Sequence, residues 1–221
     1  MLFRSDAQGE VSHRGITRVS IAPLRSGADY SRFMLQELGR HVASEHALVV
    51  QWDGFVIDAS AWQDRFLDFD YIGAAWPQFP AGRQVGNGGF SLRSRRLLQA
   101  CLDPDFVASH PEDLAICHEN RAMLEQRFAV RIAGLDVAKA FSFERDPSSQ
   151  AAFGFHGVYN MPSLIGPEAF LQLYRSLDDR RTVNLDFGNI LRAILRGKGG
   201  LSRAIGMLRN RWCNRRLNGQ R

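Results

Sequence analysis

Short apolar runs alternate with segments of helical periodicity along most of the chain. The continuous run Ala47–Val50 predicts a buried strand. Ser26 precedes apolar residues at helical spacing, which predicts a helix capped by its hydroxyl. Further strands are predicted at 19–21, 55–57, 69–73, 90–92, 130–132 and 137–141, and further helices after Ser94, over 111–127 and over 168–177. This alternation predicts an α/β layered fold.

The C-terminal segment, residues 181–221, differs from the rest in charge. It contains ten Lys or Arg and one acid, Asp186, a net charge of +9, whereas residues 1–180 hold 18 basic and 22 acidic residues, a net charge of −4. Apolar residues recur among the arginines, and Gly197, Gly199 and Gly200 divide the segment into two predicted amphipathic helices. We therefore predict a domain over 1–180 and a basic helical tail over 181–221.

Two interpretations of this tail stay open. A basic amphipathic helix suits an anionic membrane surface, but it could equally pack on the domain with its arginines solvated. Nucleic acid is not a predicted partner, because the body is acidic and no nucleic-acid-binding motif occurs.

The length and composition indicate that this chain of 221 residues can bury one substantial core. The sequence has no run of eighteen apolar residues and no signal-peptide pattern. We expect a cytoplasmic protein, peripheral on the inner membrane face.

Gln51-Trp52-Asp53-Gly54 follows the predicted strand at Ala47–Val50. Carboxylates at the carboxyl end of a strand in an α/β sheet lie where ligands bind. Asp53 could there hold Mg²⁺ or Mn²⁺, which prefer oxygen ligands. The competing interpretation is an Asp-Gly turn between two strands.

Gly86-Asn87-Gly88-Gly89 is too rich in glycine for a helix interior. Its N–H groups could meet phosphate or sugar hydroxyls, or the glycines could serve a loop that requires positive φ angles. No Lys-Ser/Thr follows, so this is not a phosphate-binding P-loop.

The acidic pair Glu112-Asp113 lies at the start of a predicted helix. Acids at this position offset the helix dipole. A carboxylate could also act as a general base that takes the proton of an attacking hydroxyl. The local pattern does not separate these two roles.

Two further residue types could bind ligands. His156 lies between glycines and aromatic residues and could ligate a metal, although such a residue is more often a satisfied, partly buried His. Trp52 and Trp76 could offer ring faces to a sugar, and Trp76, in the loop before Pro77, is the stronger candidate.

Six segments in order carry a resemblance to a known family. They are Tyr30-Ser31-Arg32-Phe33-Met34, Val50-Gln51-Trp52-Asp53-Gly54-Phe55-Val56, Asp70-Tyr71-Ile72-Gly73-Ala74, Val85-Gly86-Asn87-Gly88-Gly89-Phe90-Ser91-Leu92-Arg93-Ser94, Pro111-Glu112-Asp113 and Phe153-Gly154-Phe155-His156-Gly157. The chain resembles, from about Arg18 to Asn160, a group of glycosyltransferase-like proteins known only as a domain of unknown function. It is more distantly similar to β-1,4-galactosyltransferase and Fringe-like enzymes.

The resemblance implies a GT-A-like mixed sheet flanked by helices, a nucleotide-sugar donor such as a UDP-sugar, and an inverting mechanism. It implies that Asp113 is the catalytic base and that Glu112 holds an acceptor hydroxyl. Asp53 and His156 would ligate Mn²⁺ or Mg²⁺. Gln51, Trp52, Trp76, Asn87, Gly88 and Gly89 would bind donor or acceptor. The acceptor would be a glycan or lipid-linked glycan in surface polysaccharide synthesis.

Two departures from the family pattern favour an alternative. Gln51 stands where the relatives keep the first carboxylate of an Asp-x-Asp motif, and Met1–Asp6 resembles the second strand of the fold, which implies that the first strand-helix unit is absent. The alternative is therefore a degenerate, non-catalytic module that binds a glycan or a partner.

Overall fold

The computed structural model describes residues 2–4, 15–145, 151–177, 180–197 and 199–218. The strands are β1 (Leu2–Arg4), β2 (Arg18–Ser20), β3 (His46–Val50), β4 (Gly54–Val56), β5 (Tyr71–Ile72), β6 (Ala74–Ala75), β7 (Val85–Gly86), β8 (Phe90–Ser94), β9 (Ser142–Phe143) and β10 (Gly154–His156). The α-helices are α1 (Gly27–Arg32), α2 (Arg95–Ala100), α3 (Glu112–Leu114), α4 (Arg121–Phe128), α5 (Leu135–Phe141), α6 (Met161–Leu164), α7 (Pro167–Ser176), α8 (Arg181–Leu185), α9 (Phe187–Leu195) and α10 (Gly200–Asn218). π-Helical turns at Phe33–Glu37 and Ala115–Glu119 and 3₁₀ turns at Leu38–His41, Ala59–Ala61 and Asp64–Asp68 complete the elements.

The strands form small sheets of mixed direction. β8 lies between β3 and β5 and is antiparallel to both, while β10 lies between β4, antiparallel, and β9, parallel. β6 and β7 form an antiparallel pair, and β1 and β2 form a parallel pair. The predicted α/β class is thus confirmed. Of the segment Met1–Asp6, Met1, Ser5 and Asp6 lie outside the described residues.

Capping residues place two helices where the sequence predicts them. The Ser26 hydroxyl accepts a hydrogen bond from Asp29 N, and the Ser94 hydroxyl accepts one from Leu97 N. α2 begins directly after β8, which is buried along its whole length. The start of α2 is therefore fixed at the end of the central strand.

Four predictions need correction. Among the described residues, the expected strand at 130–132 is reduced to a single bridge between Ile132 and Tyr71. Ala47–Val50 is not buried: within the described residues β3 pairs with β8 alone, and Leu48 and Val50 are exposed. The expected strand at 137–141 is the helix α5, because Val137, Ala138 and Phe141 bury one helical face. The expected helix over 111–127 is interrupted by a π-helical turn, and Asn120 separates that turn from α4.

Among the described residues the core comprises four groups of buried side chains, one of which joins Phe33, Met34 and Leu38 to Leu98 of α2. Of the other three, one lies among α2, the π-helical turn at Ala115–Glu119 and α4, and a second is an aromatic group around Phe66, Phe90, Phe141 and Phe153. The third joins Phe155 of β10 to α7, α9 and α10 through Phe170, Ile190 and Met207. The tail helices therefore share their core with the strand that carries His156.

Candidate active site

The segment Gln51–Gly54 is held in place by backbone hydrogen bonds on both sides. Gln51 N donates to Gly89 O at 2.8 Å, and Gly54 N donates to Gln51 O at 3.2 Å. Asp53 is buried, and its carbonyl accepts a hydrogen bond from Gly157 N at 3.0 Å. The segment forms the Asp-Gly turn that one interpretation of the sequence predicts. This turn places Asp53 between the loop before β8 and the end of β10.

The glycines of the loop between β7 and β8 are required by close approach. A Cβ at Gly88 would lie 2.0 Å from Glu112 Oε1, and one at Gly89 would lie 2.1 Å from His156 Nε2. The positive φ in this loop belongs to Asn87 instead, at 72°, and its Oδ1 accepts a hydrogen bond from Gly89 N. The loop thus brings the helix of the acidic pair and the strand of His156 against one stretch of backbone.

The two acids at the start of α3 have different surroundings. Glu112 is buried and forms an ion pair with Arg93, with 3.1 Å between Oε1 and the guanidinium, while its other oxygen accepts a hydrogen bond from the Ser31 hydroxyl. Asp113 accepts hydrogen bonds from Gly88 N at 3.0 Å and from Leu114 N at 2.9 Å. Glu112 is therefore occupied by structural contacts, and Asp113 faces the glycine loop.

The pKa of Asp113 is raised above its ordinary value. Burial is the largest cause and the charge of Glu112 adds to it, and together they outweigh the N–H groups of Gly88 and Leu114. A carboxylate with increased proton affinity at the wall of a pocket is suited to accept a proton from a hydroxyl.

His156 is surrounded by oxygen atoms. Its Nε2 lies 3.3 Å from Asp53 Oδ1 and 3.3 Å from Gln51 Oε1, and its Nδ1 lies 3.8 Å from Glu144 Oε1. Burial alone would lower the pKa of His156, but the carboxylates of Asp53 and Glu144 raise it to about 9. The imidazole is thus set in a strongly negative environment.

Asp113, His156 and the glycine loop border one open pocket of about 140 Å³. Its lining residues are Gln51, Trp76, Asn87, Gly88, Gly89, Glu112, Asp113, Glu144 and His156. Trp76 forms part of the wall, where its Nε1 donates to Glu144 Oε2 at 3.2 Å and its ring stacks on Phe79. The volume is below the roughly 300–1,000 Å³ typical of sites for whole ligands. The pocket can therefore enclose a reacting group rather than an entire nucleotide sugar.

Most residues singled out from the sequence meet at this pocket. Asp53 does not line it but contacts His156 directly. Trp52 is exposed and lies outside the lining residues. The structure therefore brings together the segments containing Gln51, Gly88, Asp113 and His156, which are far apart in the chain.

Three residues of the site were not singled out from the sequence. Arg93 is fully buried, Ser31 bonds to Glu112, and Glu144 faces both Trp76 and His156. A charged residue within the apolar strand β8 was a usable signal for Arg93, because a buried charge needs a partner. Glu144 follows β9 and carried no comparable signal.

The two residues predicted to ligate a metal, Asp53 and His156, lie side by side. Within the described residues, no group of three or more His, Cys, Asp or Glu side chains is arranged to hold a metal ion. Asp53 Oδ1 is nevertheless buried without a hydrogen-bond partner, next to His156 Nε2 and Gln51 Oε1. One carboxylate, one imidazole and one amide oxygen form a partial set that other ligands, such as diphosphate oxygens, would have to complete.

Comparison with known proteins places the chain in a family. A family model described as "Protein of unknown function (DUF5672)" matches residues 14–156. The chain belongs to this family. All the pocket residues lie within the matched segment, whereas α7 to α10 follow it. No curated protein and no solved structure matches the chain.

Proposed function

We propose that this member of the DUF5672 family is a glycosyltransferase with a GT-A-like site, which moves a sugar from a nucleotide-sugar donor to a hydroxyl of a glycan or lipid-linked acceptor. One observation carries the proposal: Asp113 and His156 border the same pocket, on either side of the glycine loop. Asp113, as the base for the acceptor hydroxyl, and the metal site at His156, next to the donor diphosphate, would thus face the same anomeric carbon of the donor sugar.

Asp113 is the proposed base. As the acceptor oxygen bonds to the anomeric carbon, the bond from that carbon to the donor phosphate oxygen breaks, and the hydroxyl proton passes to the Asp113 carboxylate. The nucleoside diphosphate leaves with the electron pair of the broken bond, and the configuration at carbon inverts. The two N–H groups that bind Asp113 fix its direction, and its raised pKa favours the proton transfer.

Asp53, His156 and the side-chain oxygen of Gln51 would hold Mn²⁺ or Mg²⁺. Asp53 Oδ1 is buried with no hydrogen bond and with only the charge of His156 beside it, which supports this assignment, because a buried carboxylate oxygen is costly without hydrogen bonds or ligands. The ion, when bound, would offset the charge that develops on the leaving diphosphate.

On the acceptor side, Trp76 borders the pocket and would contact a pyranose through the part of its indole ring that Phe79 and Gly86 leave uncovered. Glu112 borders the pocket, but its oxygens already bind Arg93 and Ser31. We propose that Glu112 chiefly anchors the start of α3, and that any contact with an acceptor hydroxyl is made in addition to these bonds.

The replacement of one expected carboxylate by Gln51 supports a second candidate, a non-catalytic module that binds a glycan or a partner. Titration calorimetry with nucleoside diphosphates, with and without Mn²⁺, separates the candidates when combined with a transfer assay over a panel of nucleotide sugars. Metal-dependent nucleotide binding together with turnover supports the enzyme. Absence of both across the panel would reject it.

A further inference from the structure

The helix α10 packs one face against the domain. Gly200, Ala204 and Met207 are buried, and Met207 belongs to the same core group as Phe170 and Ile190. The expectation of a tail helix packed on the domain is therefore met on this face, and the helix has a fixed orientation.

A second face of α10 carries an apolar stripe that this packing leaves open. Its four side chains are between 48 and 70% exposed: Leu201, Ile205, Leu208 and Trp212. Their spacing of four, three and four residues aligns them along one side of the helix. Four large apolar side chains exposed along one side of a helix form an apolar patch. Such patches mark surfaces that bind a protein or a membrane.

Arginines flank the stripe. Arg209 is exposed one turn after Ile205, and Arg211, one turn after Leu208, lies on the opposite side over the Phe187 ring, 4.2 Å from its centroid. They belong to the segment 181–221, whose net charge is +9. The segment that carries the stripe is therefore complementary to a polyanion.

We propose that the Leu201–Trp212 stripe docks the protein on an anionic lipid membrane, with α10 lying in the plane of the interface. The four apolar side chains would enter the boundary between headgroups and acyl chains, and Arg209 beside them would meet lipid phosphates. No helix among the described residues is long and apolar enough to cross a membrane.

The charge distinguishes the membrane from a second copy of this chain as the occupant. Two stripes in contact would bring together two segments of net charge +9 each, which repel one another. An anionic bilayer attracts the same segment. This inference goes beyond the proposed transferase function, because membrane binding is measured without donor, acceptor or metal.

The test is cosedimentation of the full chain with vesicles of phosphatidylcholine alone and with phosphatidylglycerol added. We expect binding only to the anionic vesicles and weaker binding at high salt. The double variant Leu201→Ser/Ile205→Ser should weaken binding at least about tenfold, and Arg209→Gln about fivefold. The matched control is Val107→Ser, which replaces an exposed apolar residue in the loop before Pro111 and should bind as the unaltered chain does.

Tryptophan fluorescence supplies a second measurement. Anionic vesicles should shift the emission to shorter wavelength, and Trp212→Phe should remove that shift without abolishing the fold. Equal binding to neutral vesicles, or full binding by the Leu201→Ser/Ile205→Ser variant with a native circular dichroism spectrum, overturns the proposal. So does concentration-dependent dimerisation that the same double variant abolishes, because a second copy would then cover the stripe.

Discussion

The Asp113 carboxylate accepts a hydrogen bond from the backbone N–H of Gly88, 3.0 Å away. This bond joins the start of α3 to the glycine loop, which is also the backbone against which His156 packs. Asp113 is consequently oriented from two directions, by Gly88 N and by Leu114 N. A residue that only offset the helix dipole would have no need of a bond to a loop 25 residues earlier in the chain.

Replacing Gly89 by Ala should distort the His156 side of the site. The added Cβ would lie 2.1 Å from His156 Nε2, so the partly buried imidazole must shift from its position beside Asp53. We expect a loss of about 1–3 kcal/mol in the free energy of unfolding. We also expect loss of Mn²⁺ binding, measured by denaturant unfolding and titration calorimetry.

The matched control is Gly188→Ala in α9, where an added Cβ meets nothing within 4 Å. That variant should change the free energy of unfolding by no more than about 0.5 kcal/mol, because Gly188 is the second residue of α9 and the added Cβ meets no neighbour. Unchanged metal binding in Gly89→Ala would show that the close approach of the loop to His156 is without consequence.

Arg93→Met should be among the more destabilising single substitutions in the domain. It leaves the Glu112 carboxylate buried without its cation, for which about 3–5 kcal/mol is expected. Adding Glu112→Gln should restore much of that loss, and urea unfolding of the singles and the double measures the coupling. Arg127→Met, which breaks exposed ion pairs with Asp103 and Asp105, should cost below about 1 kcal/mol. Equal losses in Arg93→Met and Arg127→Met would contradict this account.

His156 should make the stability of the metal-free protein depend on pH. Its pKa is about 9 in the folded protein, above the value of 6.5 expected when unfolded. Its contribution is therefore fully present below about pH 6.5 and is lost as the pH rises through about 9. The difference in free energy of unfolding between the unaltered chain and His156→Gln, measured with a chelator present, should fall by at most roughly 3 kcal/mol across that range. A difference that is constant with pH would be incompatible with the ion pairs to Asp53 and Glu144.

Much of the site could be predicted from the sequence because its segments are local and distinctive. The Gly86–Gly89 loop, the acidic pair and His156 each stood out by composition, and their order carried the resemblance. The reason for the glycines could not be predicted, since it depends on Glu112 and His156 approaching from elsewhere in the chain. Glu144 could not be predicted either, because its position opposite Trp76 is set by tertiary packing.

The fold was predicted at the level of class and of several element starts, such as the Ser26 and Ser94 caps. Two misassignments have a physical cause. Apolar residues at 137, 138 and 141 fit a strand or a helix equally well in so short a segment. The apolar run of β3 predicted burial on both sides, but burial depends on neighbouring strands, and within the described residues only β8 pairs with it.

The rate of sugar transfer by Asp113→Asn, measured on a donor that the unaltered chain turns over, tests the central claim most directly. The control is Asp136→Asn, which removes an exposed acid from the first turn of α5 and so matches any effect on a helix dipole. If Asp113 is the base, kcat should fall about 10²–10⁴-fold in Asp113→Asn, with nucleotide binding retained, and stay unchanged in Asp136→Asn. Equal kcat values for the two variants would show that Asp113 only offsets its helix dipole, and the proposed base would be wrong.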